Sequence, residues 1–369
     1  MPTPAPGSTT ECDALVIGAG PVGLFQVFQL GLQDIRAQVV DALPVAGGQC
    51  IELYADKPIY DIPALQVCTG RELVDRLLLQ IAPFAPQFHL GQEVSALAPR
   101  DDSRFDVATS TGACFIARTV FIAGGVGAFQ ARALKADGIE RHIGTQLFYR
   151  VPEPALLAGQ RVLVVGGEDA AVAAVLRLAD GVDASAPVTQ RPASITLLHR
   201  RRTLTADATS LARLQALCEA GVVRFEVGQV LGIEPAASAG ADIGRLAAVQ
   251  VIGEDSSSRP LPVDVVLAFL GVSPKLGPIA HWGLALERRQ LVVDAAHFET
   301  STPGIYAVGD VVTYPGKKKL ILCGFHEATL AAFAAAARLR PDQPVLLHYT
   351  TTSPKLHQLL GVATPQRVG

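Results

Sequence analysis

Two glycine-rich segments of the 369-residue chain have the spacing of a phosphate-binding turn. In the first, Gly18, Gly20 and Gly23 follow the apolar run 14–17. In such a turn the first glycine permits a tight bend, the second lets the backbone approach a pyrophosphate, and the third allows close helix packing. Asp41 follows the next predicted strand, at the distance of an acidic residue that binds a ribose. We therefore predict a dinucleotide site at this turn.

The second segment begins at Gly166, after the strand-like residues 161–165, and reads Gly-Gly-Glu-Asp-Ala-Ala. Glu168 therefore stands where a glycine would let the backbone approach a phosphate, and its charge opposes that phosphate. Arg200 and Arg201 follow the next predicted strand, where guanidinium groups can bind a 2′-phosphate. A solvated run of charges is the alternative interpretation of these arginines. We predict a second nucleotide site, for NADPH, that binds weakly, in a shifted pose or not at all.

Residues 304–310 form an apolar strand that ends in Gly-Asp and has no complete glycine-rich turn of its own. Asp310 would lie at the carboxyl edge of a sheet, where a carboxylate accepts hydrogen bonds from sugar hydroxyls. A helix predicted to begin near Phe325 would direct its positive N-terminus at a flavin ring. With the intact turn and Asp41, this segment predicts an FAD site, whereas Gly-Asp alone is also typical of a surface turn.

Strand-like and helix-like segments alternate along the chain, which predicts βαβ units and parallel sheets. The predicted strands lie at 14–17, 37–40, 114–123, 161–165, 195–198, 222–227, 263–269 and 304–308, and the helices at 22–32, 71–82, 170–178 and 210–220. Because 304–310 must complete an existing site, we expect the chain to return to its first domain near Arg289. The predicted fold class is α/β, with two Rossmann-like nucleotide-binding domains, one inserted into the other. The predicted parts are a flexible tail (1–11), an FAD-binding domain (12–124 and 289–369) and an NAD(P)H-binding-like domain (125–288).

Composition limits the other classes of function. The net charge of −3 gives no support for nucleic-acid binding. We predict no membrane span, because no run of about 18 apolar residues occurs, and no signal peptide, so we expect a cytoplasmic protein. None of the 6 cysteines has the spacing of a redox CxxC pair or a zinc knuckle, so we predict no metal site. Cys50, which follows Gly47-Gly48-Gln49, is the thiol of most interest.

Several sequence blocks are jointly distinctive. They lie at 20–25, 47–49, 53–57, 59–61, 123–129, 276–279, 282–284, 304–310 and 314–317. In these blocks the chain resembles the thioredoxin-reductase-like class of ferredoxin–NADP reductases, flavoproteins that lack the redox cysteine pair of thioredoxin reductase. The resemblance covers nearly the whole chain after the N-terminal tail, and the absence of a CxxC pair agrees with it.

The resemblance implies roles for individual residues around FAD. Asp41 would bind the adenosine ribose. Gln49 and Val94 would contact the cofactor through polar and backbone groups. Phe129 and Asp310 would line its ribose and ribityl side.

The two faces of the flavin would be covered by different segments. Tyr54 would stack on one face, which a phenol ring covers without adding charge. A C-terminal segment would cover the other face, with Thr351 near the flavin edge. Either His348 or Tyr349 would stack there, and the sequence leaves that choice open.

The implied activity is FAD-dependent electron exchange between NADPH and ferredoxin or a flavodoxin-like carrier, in a homodimer. The flavin performs the chemistry, so we expect no catalytic side chain. The lysines 317–319 form either a docking surface for an acidic carrier or a solvated loop. The family pattern has Phe-Arg where this chain has Leu204-Thr205, and Arg202 is the candidate substitute. Two alternatives stay open: a flavoprotein with impaired or lost NADPH binding that uses another donor, and a non-catalytic flavin-binding protein.

Overall fold

The computed structural model describes residues 9–125, 127–180, 191–235, 244–345 and 349–363; for 128–131 and 272–275 it describes the backbone alone. The helices are α1 (Pro21–Leu32), α2 (Gln49–Glu52), α3 (Gly70–Ile81), α4 (Asp169–Asp180), α5 (Ala208–Glu219), α6 (Ile321–Leu339) and α7 (Pro354–Leu360). The strands are β1 (Thr9–Ile17), β2 (Ala37–Asp41), β3 (Pro58–Ile59), β4 (Cys68–Thr69), β5 (Gln87–Leu90), β6 (Val94–Pro99), β7 (Phe105–Thr109), β8 (Cys114–Ile122), β9 (Ala128–Ala131), β10 (Leu147–Phe148), β11 (Arg161–Val165), β12 (Ser194–His199), β13 (Val223–Pro235), β14 (Leu246–Gly253), β15 (Ser258–Pro262), β16 (Val265–Ala268), β17 (Val272–Lys275), β18 (Leu286–Glu287), β19 (Gln290–Val292), β20 (Ile305–Ala307) and β21 (Val312–Thr313).

The chain forms two compact units. Unit 1 contains residues 1–128 and 274–369, and unit 2 contains residues 129–273, so unit 2 is an insertion in unit 1. The chain crosses between the units through β9 and β17, which pair in a two-stranded sheet. The return to unit 1 lies at Pro274, earlier in the chain than the predicted position near Arg289, because Leu276 and Ile279 pack in the core of unit 1.

Unit 1 is built on a sheet with the strand order β5-β2-β1-β8-β7-β6, to which β20 adds beside β8. The strands β5, β2, β1, β8 and β20 run parallel, whereas β7 and β6 are antiparallel to their neighbours. The central strands β1 and β8 carry continuous buried apolar runs, which is typical of a parallel strand covered on both faces. Because their carboxyl ends meet at one edge, residues that follow β1, β2 and β20 come together there.

Unit 2 repeats this arrangement with the strand order β10-β16-β11-β12-β13-β14-β15. The strands β10, β16, β11, β12 and β13 run parallel to one another. Strand β14 is antiparallel to β13, and β15 is antiparallel to β14. Helix α4 follows β11 and α5 follows β12, and both helices pack against the sheet. The glycine-rich segment of unit 2 therefore occupies the same position after a strand and before a helix as that of unit 1.

The structure confirms the predicted strands and helices at both turns and corrects several boundaries. Residues 1–8 lie outside the described residues, but residues 9–11, which we expected in a flexible tail, begin β1 because they pair with β8. Helix α6 begins at Ile321 and not near Phe325. Within the described ranges no helix is long and apolar enough to cross a membrane.

Candidate functional site

The first glycine-rich turn contains two glycines that packing requires and one that faces open space. Gly18 has φ +109°, and a Cβ atom there would lie 2.4 Å from the carbonyl oxygen of Ala123. A Cβ atom at Gly23 would lie 1.9 Å from the carbonyl oxygen of Gly18. A Cβ atom at Gly20 would meet no protein atom within 4 Å. Packing does not explain the glycine at position 20, which agrees with a surface left open for a ligand.

Asp41, at the end of β2, holds the first turn in place. Its Oδ2 accepts a hydrogen bond from the backbone N–H of Ala19 at 2.6 Å, and its Oδ1 accepts one from Leu43 at 2.7 Å. Burial raises the pKa of the Asp41 carboxyl, and these two hydrogen bonds oppose that rise. Each carboxylate oxygen has a further lone pair, so Asp41 can brace the turn and still accept a hydroxyl hydrogen bond.

Asp310 lies at the same sheet edge, in a single 3₁₀ turn (Gly309–Val311) that follows β20. Its side chain is half-buried and has no hydrogen bond to any described residue. Burial raises the pKa of the Asp310 carboxyl, while Lys317 and Lys319 oppose the rise. A half-buried carboxylate with free acceptor capacity can bind a hydroxyl group.

Glu327, on α6, is a buried charge that the sequence analysis missed. Its Oε2 accepts a hydrogen bond from the Gly309 N–H at 2.6 Å, and its Oε1 accepts from Tyr314 Oη at 2.8 Å and Lys317 Nζ at 2.5 Å. The only sequence signal was one acidic residue within a helix rich in alanine. The Lys317 side chain is 6% exposed, which rules it out as part of a docking surface; Lys318 and Lys319 are exposed.

The remaining residues predicted to contact FAD lie in different segments of the chain and differ in exposure. Gln49 is the first residue of α2, and its Nε2 lies 2.9 Å from where a Cβ atom of Gly125 would be. Val94 begins β6 and is buried. Tyr54 is 44% exposed, with the Lys57 Nζ 5.5 Å from its ring centre. Phe129 lies in β9, and its side chain is outside the described part of the structure.

The C-terminal segment lies away from the first turn of its own chain. Lys355 forms an ion pair with Asp34, which follows the C-terminal end of α1. The first turn lies at the opposite end of this 12-residue helix, about 18 Å away at about 1.5 Å per residue. Thr351 and Tyr349 precede Lys355 by four and six residues, and both are exposed. His348 lies outside the described residues.

The turn of unit 2 is tightly packed around its glycines. Gly166 has φ +155°, and a Cβ atom there would lie 2.3 Å from the carbonyl oxygen of Phe269. A Cβ atom at Gly167 would lie 2.5 Å from the ring of His199. Burial lowers the pKa of His199, and Arg200 and Arg201 lower it further. Both glycines are therefore required by the protein itself.

Glu168 is exposed and lies at the N-terminus of α4. Its carbonyl oxygen accepts hydrogen bonds from Ala171 N at 2.9 Å and Val172 N at 3.2 Å, so its backbone begins the helix. A carboxylate at a helix N-terminus interacts favourably with the helix dipole and competes with a phosphate for that position.

Three arginines follow β12, and they are not equivalent. Arg200 and Arg201 are exposed and form no ion pair with any residue that the structure describes. Arg202 forms a two-point ion pair with Glu254, at 2.5 and 3.1 Å. Arg202, the candidate substitute for the missing phosphate ligand, is thus already paired with Glu254, whereas Arg200 and Arg201 are not.

The thiols and possible metal ligands add nothing to these sites. Burial raises the pKa of the Cys50 thiol to about 11, so this thiol is protonated at neutral pH and is a poor nucleophile. The described cysteines form no disulfide. No cluster of metal-ligating side chains occurs among the residues described.

Comparison with known proteins identifies the class of this fold and site. The family model of the pyridine nucleotide-disulphide oxidoreductases matches residues 12–335, which include both glycine-rich turns. Thioredoxin reductase from Lactococcus lactis has the same fold, with a TM-score of 0.59 and 22% sequence identity, over 88% of this chain and 97% of that chain. At this identity the likeness concerns the fold alone.

Closer relatives narrow the class. The ferredoxin–NADP reductase of Paracidovorax citrulli is 60% identical over 354 residues, 96% of this chain and 97% of that protein. The ferredoxin–NADP reductase of Methylibium petroleiphilum is 55% identical over 356 residues, 96% of this chain and 94% of that protein. The chain thus belongs to the ferredoxin–NADP reductases of the thioredoxin-reductase-like type, within the pyridine nucleotide-disulphide oxidoreductases, and is an oxidoreductase.

Proposed function

We propose that this protein is an FAD-dependent enzyme that exchanges electrons between NADPH and ferredoxin or a similar one-electron carrier. Its relatives are named for this activity. The observation that carries the proposal is the intact turn of unit 1, in which Gly20 faces open space beside Asp41. A pyrophosphate needs close contact with backbone N–H groups, and only a turn without a side chain at this point provides it.

The residues of unit 1 fit the expected cofactor. Gly18, Gly20 and Gly23 would receive the pyrophosphate, Asp41 the adenosine ribose, and Asp310 the hydroxyls of the ribityl side. Helix α6 begins at the same sheet edge, and Leu320 gives its N-terminus no side-chain cap, so its free N–H groups can stabilise negative charge. The flavin, when bound, supplies both two-electron hydride chemistry and single-electron transfer. The protein binds, orients and shields it, with no side chain acting as acid, base or nucleophile.

Unit 2 supports NADPH as the nicotinamide, with reduced affinity. Arg200 and Arg201 are free to bind a 2′-phosphate, which favours NADPH over NADH. Glu168 opposes the pyrophosphate at the N-terminus of α4. The second candidate function, a flavoprotein that takes electrons from another donor, rests on this one residue.

The C-terminal segment supports a homodimer. Lys355, which follows Thr351 and Tyr349, is paired with Asp34 at the end of α1 opposite the turn of its own chain, so we propose that Thr351 and Tyr349 cover a flavin held by a second copy. Leu356 is buried within its own chain, whereas Leu359 and Leu360 are exposed on α7 and can pack against the other copy.

The visible spectrum of the purified protein tests this proposal. We expect a yellow protein with about one FAD per chain. Anaerobic NADPH should bleach the flavin absorbance faster than NADH at equal concentration, and ferredoxin should restore it. Bleaching by reduced ferredoxin but by neither nicotinamide would support the second candidate function. FMN in place of FAD, or no flavin after reconstitution, would contradict both.

A further inference from the structure

The buried ion pair between Lys317 and Glu327 contacts Gly309, the residue before Asp310. None of the proposed cofactor contacts involves this pair. Glu327 is fully buried and the Lys317 side chain is 6% exposed, with Nζ and Oε1 at 2.5 Å. Removing two charges from water costs free energy that their attraction often fails to recover. Such a pair is a poor source of stability, so its position at the candidate site calls for another role.

The pair fixes the backbone that carries Asp310. The Oε2 of Glu327 accepts the hydrogen bond of Gly309 N–H at 2.6 Å, and Gly309 has φ +82°, a conformation that other residues rarely adopt. The Oε1 of Glu327 accepts from both Tyr314 and Lys317. Helix α6 is thereby tied to Gly309, the residue that immediately precedes Asp310.

The pair also governs the charge around Asp310. Lys317, Lys319 and Glu327 act on Asp310, Tyr314 donates a hydrogen bond to Glu327, and Cys323 acts on Tyr314. Burial raises the pKa of Asp310, Lys317 and Lys319 lower it, and Glu327 raises it. Loss of Lys317 alone would leave two neighbouring carboxylates with less cationic charge, and such pairs take up a shared proton.

We propose that Lys317 and Glu327 are positioning residues for FAD: Glu327 fixes the Gly309–Asp310 turn through the Gly309 N–H, and Lys317 balances the charge of Glu327 beside Asp310, the hydroxyl acceptor. Neither residue needs to touch the cofactor. This inference rests on the proposed FAD site and adds to it a pair of residues from outside the predicted contacts.

The test is the retention of FAD by the full-length holoprotein as a function of pH. Samples are diluted at pH values between about 5 and 8, and released FAD is measured by its fluorescence. For Lys317→Met we expect release to begin at higher pH than in the wild type, with at least about threefold weaker FAD binding at pH 6. For Glu327→Gln, which keeps an acceptor for the Gly309 N–H, we expect release to shift to lower pH.

Two matched controls separate charge from packing. Lys317→Arg keeps the cation and should retain the wild-type profile. The double variant Lys317→Met with Glu327→Gln removes both charges and should return close to that profile, and it carries the test with Glu327→Gln if Lys317→Met alone does not fold.

Opposite shifts from the two halves of one ion pair are the result that a purely structural role would not give. If both single variants shift release in the same direction, or lose FAD equally at every pH, the inference is wrong. A wild-type protein that binds no FAD would instead contradict the proposed function.

Discussion

At the residue scale, the exposed carboxylate of Glu168 lies at the N-terminus of α4, the position at which we propose that the NADPH pyrophosphate binds. Restoring glycine with Glu168→Gly should strengthen NADPH binding by at least about tenfold, or about 1.4 kcal/mol, because both the like charge and the side chain are removed. FAD content should not change, since the two turns lie in different units. The measurement is an NADPH titration of the oxidised protein, with Glu168→Gln as the variant that removes charge and keeps bulk.

Equal NADPH affinity in wild type and Glu168→Gly would show that the carboxylate points away from the phosphates. An improvement in Glu168→Gly alone, without one in Glu168→Gln, would assign the effect to the bulk of the side chain.

The two free arginines should determine which nicotinamide is preferred. Arg200→Ala or Arg201→Ala should weaken NADPH binding about tenfold or more and leave NADH nearly unchanged, because only NADPH carries the 2′-phosphate. Steady-state reduction of a dye acceptor with each nicotinamide measures this preference. Arg202→Ala is the matched control: its guanidinium is paired with Glu254, so the ratio of NADPH to NADH activity should stay constant. An equal loss with both nicotinamides in the Arg200 and Arg201 variants would reject a 2′-phosphate role.

At the scale of single elements, Asp264 immediately precedes β16 and links it to the neighbouring strand β11. Its carboxylate accepts hydrogen bonds from the backbone N–H, Nε and Nη2 of Arg161, the first residue of β11, at 2.8–2.9 Å. The Arg161 hydrogen bonds lower the pKa of Asp264, while burial opposes them. A carboxyl whose pKa is lowered by folding stabilises the protein above its unfolded pKa, and this contribution is lost as the pH falls through the folded pKa.

Asp264→Asn should therefore lower the free energy of unfolding by about 1–2 kcal/mol at pH 7, because charged hydrogen bonds are lost. The difference from wild type should narrow below about pH 4. Chemical denaturation, followed by circular dichroism at pH 7 and at a pH below about 4, measures the free energy of unfolding of both proteins. Asp137→Asn, an exposed carboxylate in the same unit, is the control and should have little effect. A constant difference at the two pH values would exclude the ionised carboxylate as its cause.

The same elements show what the sequence could and could not reveal. Strands β1, β8 and β11 could be predicted from continuous apolar runs, because parallel strands in the middle of a sheet are buried on both faces. The antiparallel strands β14 and β15 were missed: Gln250 interrupts the apolar residues of β14, and β15 buries only Leu261. The start of α6 was placed too late because Leu320 offers none of the usual capping side chains.

The candidate site was predictable where a motif defines it and hidden where only the fold creates it. The glycines of both turns and Asp41 were identified from spacing alone. Glu327 and Lys317 were not, because a charge becomes buried only through partners that the fold brings together. The position of the C-terminal segment was also hidden, since nothing in its sequence indicates that Lys355 pairs with Asp34.

At the scale of the whole molecule, the exposed leucines of α7 predict association of two chains. Light scattering should give a mass twice the 38.7 kDa of the chain. Replacing Leu359 and Leu360 by Asp should weaken the dimer at least about tenfold, because charges resist burial in an apolar contact. Replacing Leu79, a more exposed leucine on α3, by Asp is the control and should leave the dimer unchanged. A wild-type monomer that still binds flavin would contradict a homodimer.

The chain enters and leaves unit 2 at two adjacent strands, so unit 2 is attached to unit 1 at one place in the fold. The connecting strands β9 and β17 are neighbours in one small sheet, and neighbouring strands lie about 4.8 Å apart. Removal of residues 132–271 would therefore leave two ends that a short turn can join. Unit 2 is an inserted module in this sense: one splice between β9 and β17 would remove it, while unit 1 would keep every strand of its own sheet.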